Sequence, residues 1–177
     1  MNERLVADTL VDRLQQWGVT RVFGYSGDGI NTLLGALRRS RLPFIQARHE
    51  EAAGFMAVAH SKFALGQLGQ AQDDSDGADI GVVTATQGPG AVHLLNALYD
   101  AKLDRMPVLA IVGQQDLPAL GSDYQQEIDL EAMFQDVAAY REQVSTVEQM
   151  IPVIDRALRT ALTQSAPAVV IVPHDVQ

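Results

Sequence analysis

A chain of 177 residues, 47% of them hydrophobic, is long enough to bury one well-packed core and short for two. Its formal charge of −9, with thirteen scattered Lys and Arg residues, argues against a nucleic-acid or anionic-membrane surface and leaves a small molecule or another protein as partner. The absence of cysteine removes disulfides, thiolate metal sites and thiol nucleophiles together.

The amino terminus, Met1 to Asp8, carries charges where a targeting core would be apolar, and no segment reaches bilayer-spanning length, so the cytoplasm is the expected location. Leu5, Val6, Leu10, Leu14 and Trp17 recur at helical spacing, and Gly18 marks the stop. Arg21–Gly24 reads as a short strand, the loop Tyr25–Gly29 follows, and a helix runs through Leu33, Leu34 and Leu37. Pro43 breaks the chain before a second strand, Phe44–Ala47, and a long helix from Glu50 to about Leu65. The polar segment from Gly66 to Asp79 reads as an exposed loop before the strand Ile80–Thr84. Gln87-Gly-Pro-Gly90 turns the chain into a helix carrying Val92, Leu94, Leu95 and Leu98, and Val108–Val112 is a fully buried strand. The polar stretch from Gln114 to Glu127 is long for a simple connection, which marks a functional loop or disorder. Thr146 with Gln149 forms the pattern of a capping box for a helix through Ile151, Ile154, Leu158 and Leu162, and Ala168–Val172 is the last strand. Strands alternating with helices predict an α/β fold, a parallel sheet with helices on both faces, in a single domain over 1–177.

Glu50 stands at the junction of an apolar strand and an apolar helix, between the positive end of a helix dipole and Ala53, Phe55 and Met56. A carboxylate in that setting can serve as acid or base; the alternative is that Glu50 and Glu51 decorate a helix start. Gly24-x-x-Gly27-x-Gly29 opens a helix after a strand, but it lacks the G-x-G-x-x-G order of a dinucleotide fingerprint, and Asp28 puts negative charge where a phosphate would sit. Asp28 is either a helix cap or a carboxylate aimed into a cleft. The acidic run Asp73–Gly77 fails as a calcium loop, because the register that puts glycine sixth places Gln72 first and Val83 twelfth. His49, His60, His93 and His174 are too dispersed in sequence to spell a metal set, so no metal ligands are predicted. Gly88 and Gly90, flanking Pro89 at a strand's carboxyl end, fit a turn that a flat ligand touches by its backbone.

Taken together, Gly24-Tyr-Ser-Gly-Asp28, Arg48-His-Glu-Glu-Ala-Ala-Gly-Phe-Met-Ala57, Thr84-Ala-Thr-Gln-Gly-Pro-Gly90 and Pro107-Val-Leu-Ala-Ile-Val-Gly113 resemble the amino-terminal, pyrimidine-binding domain of thiamine diphosphate enzymes. The likeness is to the acetolactate synthase and pyruvate oxidase branch and covers nearly the whole chain. The resemblance implies the amino-terminal part of a longer enzyme acting on a 2-keto acid by decarboxylation, followed by oxidation or carboligation. It implies that Glu50 activates the cofactor's aminopyrimidine, and that Ser26, Gly27, Thr86, Gly88, Pro89, Gly90 and His93 line the cofactor side. For Thr86 and His93 an ordinary helix-start role is the alternative. Asp28 matches an acidic position of family decarboxylases and is a candidate for proton handling.

Gly121-Ser-Asp-Tyr-Gln-Gln-Glu127 resembles the family's Gly-x-x-x-Phe-Gln-Glu, with Gln125 at the aromatic position and Gln126, a candidate catalytic residue, at the glutamine. An amide for an aromatic wall implies a more polar substrate pocket. The resemblance further implies magnesium and the diphosphate held by a domain outside this chain, a flavin in the oxidase branch, and assembly as a homodimer or homotetramer. A subunit of a split 2-keto acid decarboxylase and a non-catalytic domain that kept the fold are the alternatives.

Overall fold

The computed structural model describes residues 5–68 and 80–177. Helix α1 (Val6–Gln16) ends at Gly18, whose φ of +84° lets Val19 N–H return to the Leu14 carbonyl, the stop read from the sequence. There follow β1 (Val22–Gly24), a 3-10 turn at Asp28–Ile30, α2 (Asn31–Arg39), β2 (Phe44–Gln46), α3 (Glu50–Leu68) and β3 (Gly81–Ala85). Then come α4 (Pro89–His93), α5 (Leu95–Leu103), β4 (Val108–Gln114), α6 (Leu130–Met133), β5 (Tyr140–Gln143), α7 (Met150–Gln164) and β6 (Pro167–Pro173). No helix of the described residues is long and apolar enough to cross a membrane.

All strands pair in parallel in one six-stranded sheet of order β2-β1-β3-β4-β6-β5. Successive residues of a central strand face opposite cores. Val82, Leu109, Ile111, Val170 and Val172 pack with α1, α2 and α7, whereas Val83, Ala110, Val112, Val169 and Ile171 pack with α3, α5 and α6. The parallel sheet covered on both faces is thus the predicted one.

Some expectations need correction. The strand β5 escaped the sequence because Tyr-Arg-Glu-Gln is a half-buried edge strand, with no apolar run to announce it. Helix α3 continues to Leu68, so the first three residues of the expected loop are helical. Residues from Gly69 to Asp79, including the acidic run tested as a calcium loop, lie outside the described residues. The single helix expected after the Gly-Pro-Gly turn is two, meeting at Leu94. The capping box does not close, because a 3-10 turn at Val147–Gln149 intervenes and Gln149 Oε1 accepts from Ser145 N–H at 2.9 Å.

Candidate functional site

The sheet order reverses between β1 and β3, so two neighbouring strands send their connections to opposite faces and leave a crevice at their carboxyl ends, where open α/β sheets hold ligands. Gly24 and Thr84 face each other there. The loops that meet over this crevice follow β1, β3 and β4, and Glu50 opens the helix that follows β2.

The glycines of these loops serve contact between loops. A Cβ on Gly27 would lie 2.6 Å from Thr86 Cβ, and one on Gly29 would lie 1.4 Å from Gln87 Oε1. Thr86 clips the loops together, its Oγ1 accepting from Gly29 N–H at 3.0 Å and donating to Gln87 Oε1 at 2.5 Å. Gly88, with φ of +57°, meets the Gln126 carbonyl oxygen 2.4 Å from where its Cβ would be, and Gly90 packs on Thr86. A phosphate loop would aim free amides at a ligand; here the Gly29 amide is already engaged.

Glu50 is 8% exposed, although it begins a helix. Its Oε2 lies 2.9 Å from His93 Nδ1 at the end of α4, while a Cβ on Gly90 would stand 3.4 Å from Oε1. The His49 ring packs against the His93 ring at 4.3 Å between centroids, and His49 Nδ1 accepts from Glu51 N–H at 3.2 Å. Glu51 in turn accepts from Asn96 Nδ2 at 2.7 Å, so the first turn of α3 is fastened to α4 and α5.

Sequence spacing scattered the histidines, yet the fold gathers two of them on one carboxylate. The ligand-type atoms of His49, Glu50 and His93 lie within 4.8 Å of one another. The two rings are tilted by 33° to each other, and the dipole at the start of α3 opposes a cation. His60 packs on Phe23, and His174 Nδ1 lies 3.2 Å from Asp116 Oδ1.

Asp28, at the start of the 3-10 turn, caps neither that turn nor α2 by its side chain. It lines a cleft of about 300 Å3 with Gln87, Gln115, Asp116, Tyr124 and His174. Ser26 lines a different cleft, with Arg38, Phe44 and Gln46.

The stretch 121–127 is ordered by its own hydrogen bonds. Glu127 accepts from Gly121 N–H at 2.5 Å and Tyr124 N–H at 3.1 Å, and these bonds, the first the stronger cause, hold its carboxyl below the usual range. The structure therefore brings Gly27, Thr86, Gly88, Gly90 and Gln126 into one interlock and joins Glu50 to His93, with Pro89 as the first residue of the intervening α4.

The family model described as "Thiamine pyrophosphate enzyme, N-terminal TPP binding domain" matches residues 4–133, more than half of the chain. A Bacillus subtilis protein named as containing thiamine pyrophosphate, YdaP, is 42% identical over 177 residues, covering 99% of this chain and 29% of that protein. The pyruvate oxidase of Lactiplantibacillus plantarum is 35% identical over 173 residues, 97% of this chain and 26% of that enzyme. The acetolactate synthase isozyme 2 large subunit of Escherichia coli is 32% identical over 172 residues, 97% of this chain and 29% of that subunit. The chain spans less than a third of the length of each of these relatives.

Proposed function

The chain belongs to the thiamine pyrophosphate enzyme family, by the domain that binds the cofactor at the amino-terminal end, and from that premise we propose that its natural-length protein transforms a 2-keto acid, with Glu50 activating the cofactor's aminopyrimidine. The observation that carries this is the buried carboxylate of Glu50, one oxygen held by His93 and the other turned toward the Gly88–Gly90 turn. A buried carboxylate needs partners, and a ring nitrogen is a fitting one for the second oxygen.

When bound, the cofactor supplies a nucleophilic carbon and an electron sink. In this proposal Glu50 holds or gives the proton shared with the pyrimidine nitrogen, and His93 fixes the carboxylate that does so. Asp28 handles a proton in the cleft with Tyr124 and His174, and Gln126 presents its amide from the loop that rests on Gly88. Magnesium takes oxygen ligands, and the only trio of potential ligands gathered among the described residues includes two imidazoles, so this set does not fit it. The metal and diphosphate are assigned to another part of the natural-length protein, and a flavin enters only in the oxidase form of the reading.

An apolar surface supports the expected assembly. Helices α3 and α5 cross closely at Gly54 and Ala97 and leave Phe55, Met56, Phe63, Tyr99 and Leu103 exposed, and Val92 of α4 is exposed as well. Such a face is suited to the diphosphate-binding domain or a second copy of the chain, and its burial would exclude water near Glu50. The isolated chain is accordingly expected to be inactive.

The test is carbon dioxide release from pyruvate by the natural-length protein with magnesium and thiamine diphosphate, comparing wild type with Glu50→Gln. A loss on the order of a hundredfold or more is expected for a group that moves a proton in the reaction. Undiminished activity in the variant overturns the assignment.

A further inference from the structure

The loop from Gly121 to Glu127 has a conformation that its sequence does not favour by itself. Asp123 and Gln126 both adopt positive φ, at 58° and 65°, without being glycine, and Gly121 does so at 82°. Asp tolerates the left-handed region better than most residues, whereas Gln126 stays there because its surroundings impose it. The Glu127 carboxylate collects the amides of Gly121 and Tyr124, while Glu127 N–H donates to the Tyr124 carbonyl at 2.9 Å. From the end of β4, Gln115 Nε2 donates to the Gln125 carbonyl at 2.5 Å and Gln114 Nε2 to the Ile128 carbonyl at 3.2 Å. The Gln126 backbone then rests on the Cβ-free face of Gly88.

What this brace presents to the cleft is Tyr124. Tyr124, 57% exposed, lines the cavity that also has Asp28, Asp116 and His174 in its wall, one position before Gln125. The cleft otherwise carries mainly polar and charged groups, so this ring is its principal broad apolar surface.

We propose that Tyr124 is the specificity-determining wall of the substrate cleft, and that Glu127 is a positioning residue that sets it there without touching substrate. This rests on the proposed 2-keto acid function and takes the cleft holding Asp28 as the place where that acid binds. The side chain of the keto acid, rather than its carboxylate, meets the Tyr124 ring, and discrimination among side chains depends on where the Glu127 brace holds that ring.

The natural-length protein, loaded with thiamine diphosphate and magnesium, is assayed on pyruvate, 2-ketobutyrate and phenylpyruvate. Tyr124→Ala should change the ratios of kcat/KM among these acids by about tenfold or more, the scale on which a pocket contact separates substrates. Glu127→Ala should reproduce that change from outside the cleft, and Glu127→Gln, which keeps one carbonyl acceptor, should restore part of the wild-type ratio. Hydrogen exchange at the Gly121 and Tyr124 amides should quicken by about tenfold in Glu127→Ala, as for bonds opened locally. A uniform loss of rate on all three acids with unchanged ratios, or unchanged exchange in Glu127→Ala, overturns the proposal. Retained thiamine diphosphate binding in that case leaves the cofactor reading standing, whereas a wild type that turns over none of the acids overturns the site reading and this inference together.

Discussion

Oε2 of Glu50 and Nδ1 of His93 lie 2.9 Å apart, joining the first residue of α3 to the last of α4 across 43 positions of sequence. The contact fixes which carboxylate oxygen remains for a ligand.

His93→Leu removes that partner while keeping an apolar body in place. Outer partners that orient a metal ligand cost about 10–100-fold when removed, and His93 stands in the same relation to the Glu50 carboxylate. A fall in kcat of about tenfold or more is expected, with a smaller change in thiamine diphosphate affinity, measured by steady-state kinetics and cofactor titration of the natural-length protein. Equal losses in both would place His93 in direct cofactor binding instead.

Gly88→Ala meets two obstacles, a φ of +57° and the Gln126 carbonyl oxygen 2.4 Å from the new Cβ. Overpacking and backbone strain together should cost about 3 kcal/mol. Gly121→Ala, with φ of +82° but no atom within 4 Å, should lose about 1 kcal/mol. Urea unfolding of both variants at equal m-values separates contact from strain; equal losses would deny the loop interlock.

Ser61 is fully buried and connects three elements. Its Oγ donates to the Pro107 carbonyl at 2.5 Å, just before β4, and accepts from Gly81 N–H at 2.8 Å at the start of β3. Ser61→Ala leaves a donor and an acceptor unpaired in the core, at a cost of about 2–3 kcal/mol. Ser61→Thr, which keeps the hydroxyl, crowds the close approach of Gly81 to the Ala57 carbonyl and should not restore wild-type stability. Calorimetry of the series checks both points.

Asp155 joins α7 to α1 by accepting from Arg13 Nε and Nη2 at 2.7 and 2.8 Å and from Trp17 Nε1 at 2.8 Å. The Arg13 hydrogen bond is the first cause holding its carboxyl below the usual range, with Trp17 adding to it. Because the folded state favours the ionised form, this stabilisation is present above the unfolded carboxylate value of about 4 and is lost as pH falls through the depressed folded value. Asp155→Asn should therefore cost about 1–2 kcal/mol at neutral pH and progressively less in acid. Trp17 fluorescence during urea unfolding follows this directly; a gap independent of pH would contradict it.

The central strands were legible because they are buried on both faces and read as apolar runs, and Gly18 and Pro43 punctuate the chain where the sequence indicated. Tyr140–Gln143 was not, since an edge strand carrying Arg141 and Glu142 has the composition of a loop. Glu50 stood out by its setting, but His49 and His93 could be joined only by the crossing of α3 and α4, which spacing does not encode. Gly88 and Gly90 read as ligand contacts because glycine signals a close approach without naming what approaches. Within the chain itself the groups nearest them are Gln126, Thr86 and Glu50.

That interlock bears on how the site can diverge. A side chain added at Gly27, Gly29 or Gly88 collides with a second loop, so a change in one loop requires a compensating change in its neighbour. New specificities are therefore reached more readily through Asp28, Tyr124 and Gln125, all exposed, with the glycine framework kept intact. A mutagenesis library confined to those three positions should retain a far higher share of folded members than one that also randomises the glycines.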